Sequence, residues 1–165
     1  MNEIAVVGGV RFFADNLQED RMEVKLFNMV LHSGLLYSEI SNDFKRLFTE
    51  IVLDNSNIIL RSTETIMYRN VKFRFTLSFV EGILKRISLV AADEQECMDY
   101  KDYLLTHELH KKWLIDNYGN PTRIEVYGYI YEYKNGTIGS EYDPRSGSAD
   151  NEKYTICILR YFVVY

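Results

Sequence analysis

Val71-Lys72-Phe73-Arg74-Phe75-Thr76-Leu77-Ser78-Phe79 is the stretch on which the fold turns. Apolar side chains stand at every second position, with Lys72, Arg74, Thr76 and Ser78 between them. Successive side chains of a strand point to opposite faces, so this pattern dictates a strand with one buried and one wet face. Glu81-Gly82 turns the chain and residues 83–90 return. A two-residue loop would set Leu77 against Arg86 and Phe75 against Ser88. A three-residue loop, residues 81–83, sets Leu77 against Ile87 and Phe75 against Leu89. The second pairs apolar with apolar and is the expected register.

Downstream, the stretch Asp93 to Glu96 is placed to open a helix, with acidic residues where the positive end of the helix dipole favours them. Met98, Leu105, Leu109 and Trp113 make its expected buried stripe. Gly119 after Tyr118, with Pro121 close behind, is the expected stop. The last third reads as a β-meander: a strand over 124–133, the hairpin signal Asn135-Gly136, a return over 137–142, a polar loop over 143–152 and a long strand over 154–165.

Upstream, residues 4–13 read as one strand with a bulge at Gly8-Gly9, and residues 22–30 as another. Ser38 is the expected N-cap of a short helix whose face carries Ile40, Phe44, Leu47 and Phe48. Residues 51–53 and 58–60 flank the turn cluster Asp54-Asn55-Ser56-Asn57 and read as a hairpin, and residues 65–68 extend the meander. Runs of strands with few helices define an α+β domain, mostly antiparallel sheet built of hairpins and a C-terminal meander, with about two helices packed on one face. A parallel doubly wound sheet would need strands apolar on both faces, which 71–79 is not.

The 165 residues suit a single domain, 1–165, long enough to fold without a staple. Cys97 and Cys157 form no CxxC pair and read as reduced, packed thiols. The net charge of −5 and the lack of any Lys/Arg run longer than a pair such as Lys111-Lys112 argue against a nucleic-acid partner. No window approaches ~18 apolar residues, so no membrane span is expected. No basic region followed by an apolar stretch opens the chain, and a cytoplasmic location follows by elimination.

Few residues offer chemistry. His107-Glu108-Leu109-His110 lacks the i, i+4 histidines of H-E-x-x-H. An i, i+3 pair can still chelate, but no motif supplies a third ligand, and the pair reads as a solvated helix flank. Cys97 and His107 lie about 15 Å apart along a continuous helix, far beyond proton-transfer reach. Ser140, Ser146 and Ser148 lie in no G-x-S-x-G elbow, and Gly8-Gly9 lacks the G-x-G-x-x-G spacing of a dinucleotide site. Neither metal nor cofactor is expected.

The most unusual feature is Tyr127, Tyr129, Tyr131 and Tyr133, alternating along one strand. With Asn135-Gly136 at the tip, Tyr133 should face Ile138, Tyr131 face Ser140 and Tyr129 face Tyr142. This tyrosine face either packs under a helix or stands exposed as an aromatic platform. The following loop adds Asp143 and Arg145, a guanidinium able to clamp a carboxylate or phosphate. Tyr129, Tyr131, Tyr133, Tyr142, Asp143 and Arg145 are therefore the candidate binding residues. The leading expectation is a non-enzymatic protein-binding module, of inhibitor or immunity type, whose acidity suits a basic partner. The alternative is a small-ligand binder or enzyme using a cleft lined by Tyr131, Tyr142 and Arg145. A homo-oligomer paired through the last strand is a further expectation.

Overall fold

The computed structural model describes the backbone of residues 3–7, 10–13, 22–91, 100–125, 128–142 and 154–160, and the side chains of 22–91, 105–125 and 128–140. In chain order its strands are β1 (Glu3–Val7), β2 (Val10–Phe13), β3 (Glu23–Leu26), β4 (Met29–His32), β5 (Phe48–Val52), β6 (Ile58–Ser62), β7 (Ile66–Tyr68), β8 (Val71–Val80), β9 (Ile83–Ala91), β10 (Arg123–Glu125), β11 (Gly128–Tyr133), β12 (Gly136–Tyr142) and β13 (Tyr154–Arg160). The helices are α1 (Asn42–Lys45) and α2 (Tyr100–Tyr118), with a 3-10 turn at Tyr37–Glu39. Among the described residues every strand pairing is antiparallel, and the fold is α+β.

Among the described residues eleven strands form one sheet in the order β1-β2-β10-β11-β12-β13-β9-β8-β6-β5, with β7 taking the other half of the β8 edge that β6 occupies. The last strand in sequence, β13, lies between β12 and β9. Both edges are taken at residues 156–158, so that part of the strand expected to pair across a two-fold, residues 155–165, is engaged within the sheet, and residues 161–165 lie outside the described residues. The hairpin β3–β4 forms a separate two-stranded sheet.

The β8–β9 register is the expected one, Leu77 opposite Ile87 and Phe75 opposite Leu89, but the route to it differs. The turn has two residues, with Val80 opposite Ile83, and a bulge between Ser78 and Phe79 restores apolar pairing by leaving Lys85 extra. Glu81 and Gly82 both take positive φ (53° and 73°), the geometry whose twist matches a tight hairpin. Phe73, Phe75, Leu77 and Phe79 are buried on what we call the inner face, and Lys72 and Arg74 are exposed on the outer one.

Three expected strands are each two. Residues 4–13 split into β1 and β2, which pair with each other, Val7 opposite Val10, and the expected bulge at Gly8-Gly9 lies outside the described residues. Residues 22–30 split at Phe27, which has φ 54°, into β3 and β4. Residues 124–133 split into β10 and β11, with Ile124 opposite Tyr129. Alternation continues straight through a tight turn, so periodicity alone does not locate these reversals. The expected short helix shrinks to one turn capped by Ser41, whose Oγ accepts from the Phe44 N–H, and Phe48 begins β5 instead.

The core gathers on the inner face, where Ile40, Phe44, Leu60, the β8 aromatics, Leu84, Ile87 and Leu89 meet Val24, Leu26 and Leu31 of the small sheet. Asn135, at the β11–β12 tip, clamps the small sheet to the large one: its Oδ1 accepts from the Met22 N–H (2.8 Å) and its Nδ2 donates to the Met22 carbonyl (2.9 Å). Replacing Asn135 by Ala removes both bonds, and urea unfolding should show a loss of about 1–2 kcal/mol.

Candidate functional site

The tyrosine row comes first because the sequence singled it out. The β11–β12 register is Tyr133 opposite Gly136, Tyr131 opposite Ile138 and Ile130 opposite Gly139. Each tyrosine thus sits two residues from its expected partner, with Lys134-Asn135 as the turn rather than Asn135-Gly136. A slip of two preserves the face, so the tyrosines still share one side. That side packs under the C-terminal part of α2. Tyr131 is wholly buried, its Oη donates to the Gly119 carbonyl at 2.7 Å, and its ring lies 5.9 Å from that of Tyr118. Burial raises the pKa of both hydroxyls above the ordinary tyrosine value. Tyr129 and Tyr133 are half-buried, and the Lys111 ammonium stands 5.4 Å from the Tyr129 ring centre. Gly128 cannot be replaced without displacement, since a Cβ there would lie 2.0 Å from the Ser140 carbonyl oxygen. Ser140 is itself buried and accepts from the Tyr129 N–H.

Of the six candidate residues, Tyr129, Tyr131 and Tyr133 are brought together, but as a layer between sheet and helix. Tyr131 belongs to the core, which removes the central wall of the expected cleft. Tyr142 pairs with Tyr154 at the end of β12, and its side chain lies outside the described residues, as do Asp143, Arg145 and Tyr127.

The histidines reverse their expected placement. His107 and His110 are buried, 7% and 1% exposed, whereas Leu105 is 59% exposed. The inward face of α2 carries Thr106, His107, His110, Trp113 and Leu114. Trp113 sets this phase by packing edge-on against Phe73 (5.1 Å) while its Nε1–H donates to the Arg69 carbonyl. His110 Nε2 accepts from the Ala91 N–H at 3.0 Å, satisfying the last donor of β9. The proton of the neutral ring then sits on Nδ1. Burial, with His107 beside it, lowers the His110 pKa to about 3. Burial and the Lys111 ammonium lower that of His107. With its Nε2 lone pair occupied, His110 is a structural acceptor rather than a base. Among the described residues no cluster of three metal-ligating side chains occurs.

A surface the sequence reading did not single out lies at β5, which among the described residues ends the sheet on one side. Thr63 N–H donates to the Leu47 carbonyl and Leu53 N–H to the Asn57 carbonyl. The pairs between them, Thr49 with Arg61 and Ile51 with Ile59, alternate with Phe48, Glu50 and Val52. Antiparallel pairing alternates its hydrogen bonds, so Phe48, Glu50 and Val52 aim their N–H and C=O away from β6. Val52 and Leu53 beside this edge are 60% and 62% exposed. Glu50 is fixed there by Tyr37, whose Oη donates to its carboxylate. The Tyr37 ring stacks edge-on to Phe79 at 5.4 Å and lies 3.9 Å from the Lys45 ammonium. Burial and the Glu50 carboxylate push the Tyr37 hydroxyl up to about 12, so it stays a donor. The sequence signal was present in the β-prone run Ile51-Val52-Leu53, but an edge position is a property of strand order.

Among the described residues no helix is long and apolar enough to cross a membrane. Comparison with known proteins finds no matching family model, curated protein or solved structure. The class that the fold and its surfaces define is an α+β domain in which, among the described residues, β5 is a sheet edge.

Proposed function

We propose that this chain is a non-enzymatic protein-binding module that takes an extended segment of its partner onto β5, in the manner of an inhibitor or immunity-type protein. The observation that carries the reading is the β5 edge, where outward backbone groups at Phe48, Glu50 and Val52 adjoin exposed apolar side chains. Such an edge templates another strand: main-chain hydrogen bonds supply affinity, and alternate side chains supply selectivity. Three titratable groups of the described residues support the same reading, since His110, Tyr131 and Tyr37 are each committed to an internal hydrogen bond.

The test is Val52→Pro. The Val52 N–H points outward, so proline removes no bond to β6 and should change stability by less than about 1 kcal/mol. It removes a donor that an added strand needs. In affinity capture from the native host, wild type and a Lys112→Gln control should retain the same partner and Val52→Pro should lose it. An unchanged captured set with Val52→Pro would overturn the reading.

A further inference from the structure

The charge of this molecule is unevenly laid out. Strands β6, β7, β8 and β9, contiguous in the sheet, contain Arg61, Lys72, Arg74, Lys85 and Arg86 and not one Asp or Glu. The remaining residues hold 14 basic and 24 acidic side chains. Local charge and net charge therefore have opposite sign.

The register places these cations together on the outer face. Arg61 is opposite Thr76 and Thr76 opposite Ser88, while Ser78 is opposite Arg86. Arg74 is the diagonal neighbour of Arg61, about 7–8 Å away, and Lys72 lies about 7 Å further along β8. The side chains of Arg61, Lys72, Arg74 and Lys85 are exposed, and Arg86 is half-buried. The hydroxyls of Thr76, Ser78 and Ser88 lie between them. Arg61, Lys72, Lys85 and Arg86 each also interact within the chain. An incoming anion meets the summed field of the face rather than any single group.

From this layout we infer that the outer face of β6–β8–β9 is a docking surface for an acidic, extended segment of a protein partner. The inference rests on the binding-module reading and adds a second surface and its chemistry. Lys72 and Arg86 are separated by about 20 Å along the strands, the length of about seven extended residues. Same-side carboxylates of such a segment repeat at the spacing of Lys72 and Arg74. Duplex nucleic acid is the poorer fit, because the acidic remainder of the chain repels a long, uniformly charged rod. Single-stranded nucleic acid calls for aromatic stacking platforms, and the outward positions of β6, β8 and β9 hold none. A membrane surface calls for apolar side chains that insert, and the one exposed apolar side chain of β6, β8 and β9 is Val80, at the end of β8.

The probe is a fluorescently labelled poly-glutamate peptide, titrated with purified protein and followed by anisotropy at low and at physiological salt. Wild type should bind it, more weakly as salt rises. The charge reversal Arg74→Glu replaces an attraction by a repulsion at an exposed site and should weaken binding about tenfold. Lys72→Glu should do the same, and Lys112→Glu, on α2, should leave binding unchanged, with circular dichroism confirming that each variant is folded. Absence of peptide binding would overturn the inference, as would equal binding by Arg74→Glu. Tighter binding of a duplex DNA or of phosphatidylserine vesicles than of the peptide would also overturn it, assigning the face to that anion. Val52→Pro should bind the peptide like wild type, so this test and that of the β5 edge fail independently.

Discussion

Truncation of Tyr131 to alanine should cost about 3–5 kcal/mol of stability, the range for emptying a large buried aromatic site. Tyr131 is wholly buried, touches Tyr118 and joins the end of α2 to the sheet through the Gly119 carbonyl. Tyr131→Phe keeps the ring and loses one hydrogen bond, leaving the Gly119 acceptor short of a partner, and should cost about 1 kcal/mol. Tyr129→Ala, at a half-buried position, should fall between them. Urea denaturation of the three variants checks the order. A near-neutral Tyr131→Ala would mean that the tyrosine layer lies open, restoring it as a surface for partners. The same measurement decides how binding assays are read, since any loss of binding in Tyr131→Ala would report unfolding.

Mild acid should loosen the protein from the junction of α2 with β9. The pKa of His110 is held near 3 in the fold, against an ordinary value near 6.5. The unfolded chain therefore binds a proton between those values that the folded chain refuses, so stability rises with pH across that window. The contribution is fully present above pH 6.5 and is lost as pH falls, by about 1.4 kcal/mol per unit. Between pH 7 and pH 4.5 His110 alone should remove about 2–3 kcal/mol. His107, lowered by burial and by Lys111 and partly opposed by Glu108, acts in the same direction. Protonating His110 Nε2 also breaks its bond from the Ala91 N–H. His110→Gln keeps an acceptor without a titrating ring, so its stability should vary less with pH by about one proton over this range. Parallel pH profiles of wild type and His110→Gln would refute the assignment.

The parts of the fold legible in the sequence were those where one pattern has one physical solution. Residues 71–79 alternate so cleanly that a single face can be buried, and the partner register of Leu77 and Phe75 followed from apolar matching. The end of α2 was legible because Gly119, at φ 75°, takes a conformation that most side chains resist. The hairpin 51–60 was legible from Asp54, whose carboxylate accepts from the Ser56 and Asn57 N–H groups. Where two solutions compete, local pattern did not choose. Of the expected α2 stripe, Trp113 is buried and Leu109 packs against the core, but Leu105 is exposed. The helix is turned so that Trp113 meets Phe73 and the Arg69 carbonyl, and two histidines are buried with it.

Sequence alone determined the class of fold, the alternation of β8 and the shared side of the tyrosines, because the two-residue period of a strand is a local property that survives any choice of neighbours. Tertiary structure decided that Tyr131 is core, that β13 is interior, that β5 is an edge and that five scattered cations share one face. Each of these depends on which strands lie side by side, and strand order is fixed by contacts between residues far apart in the chain.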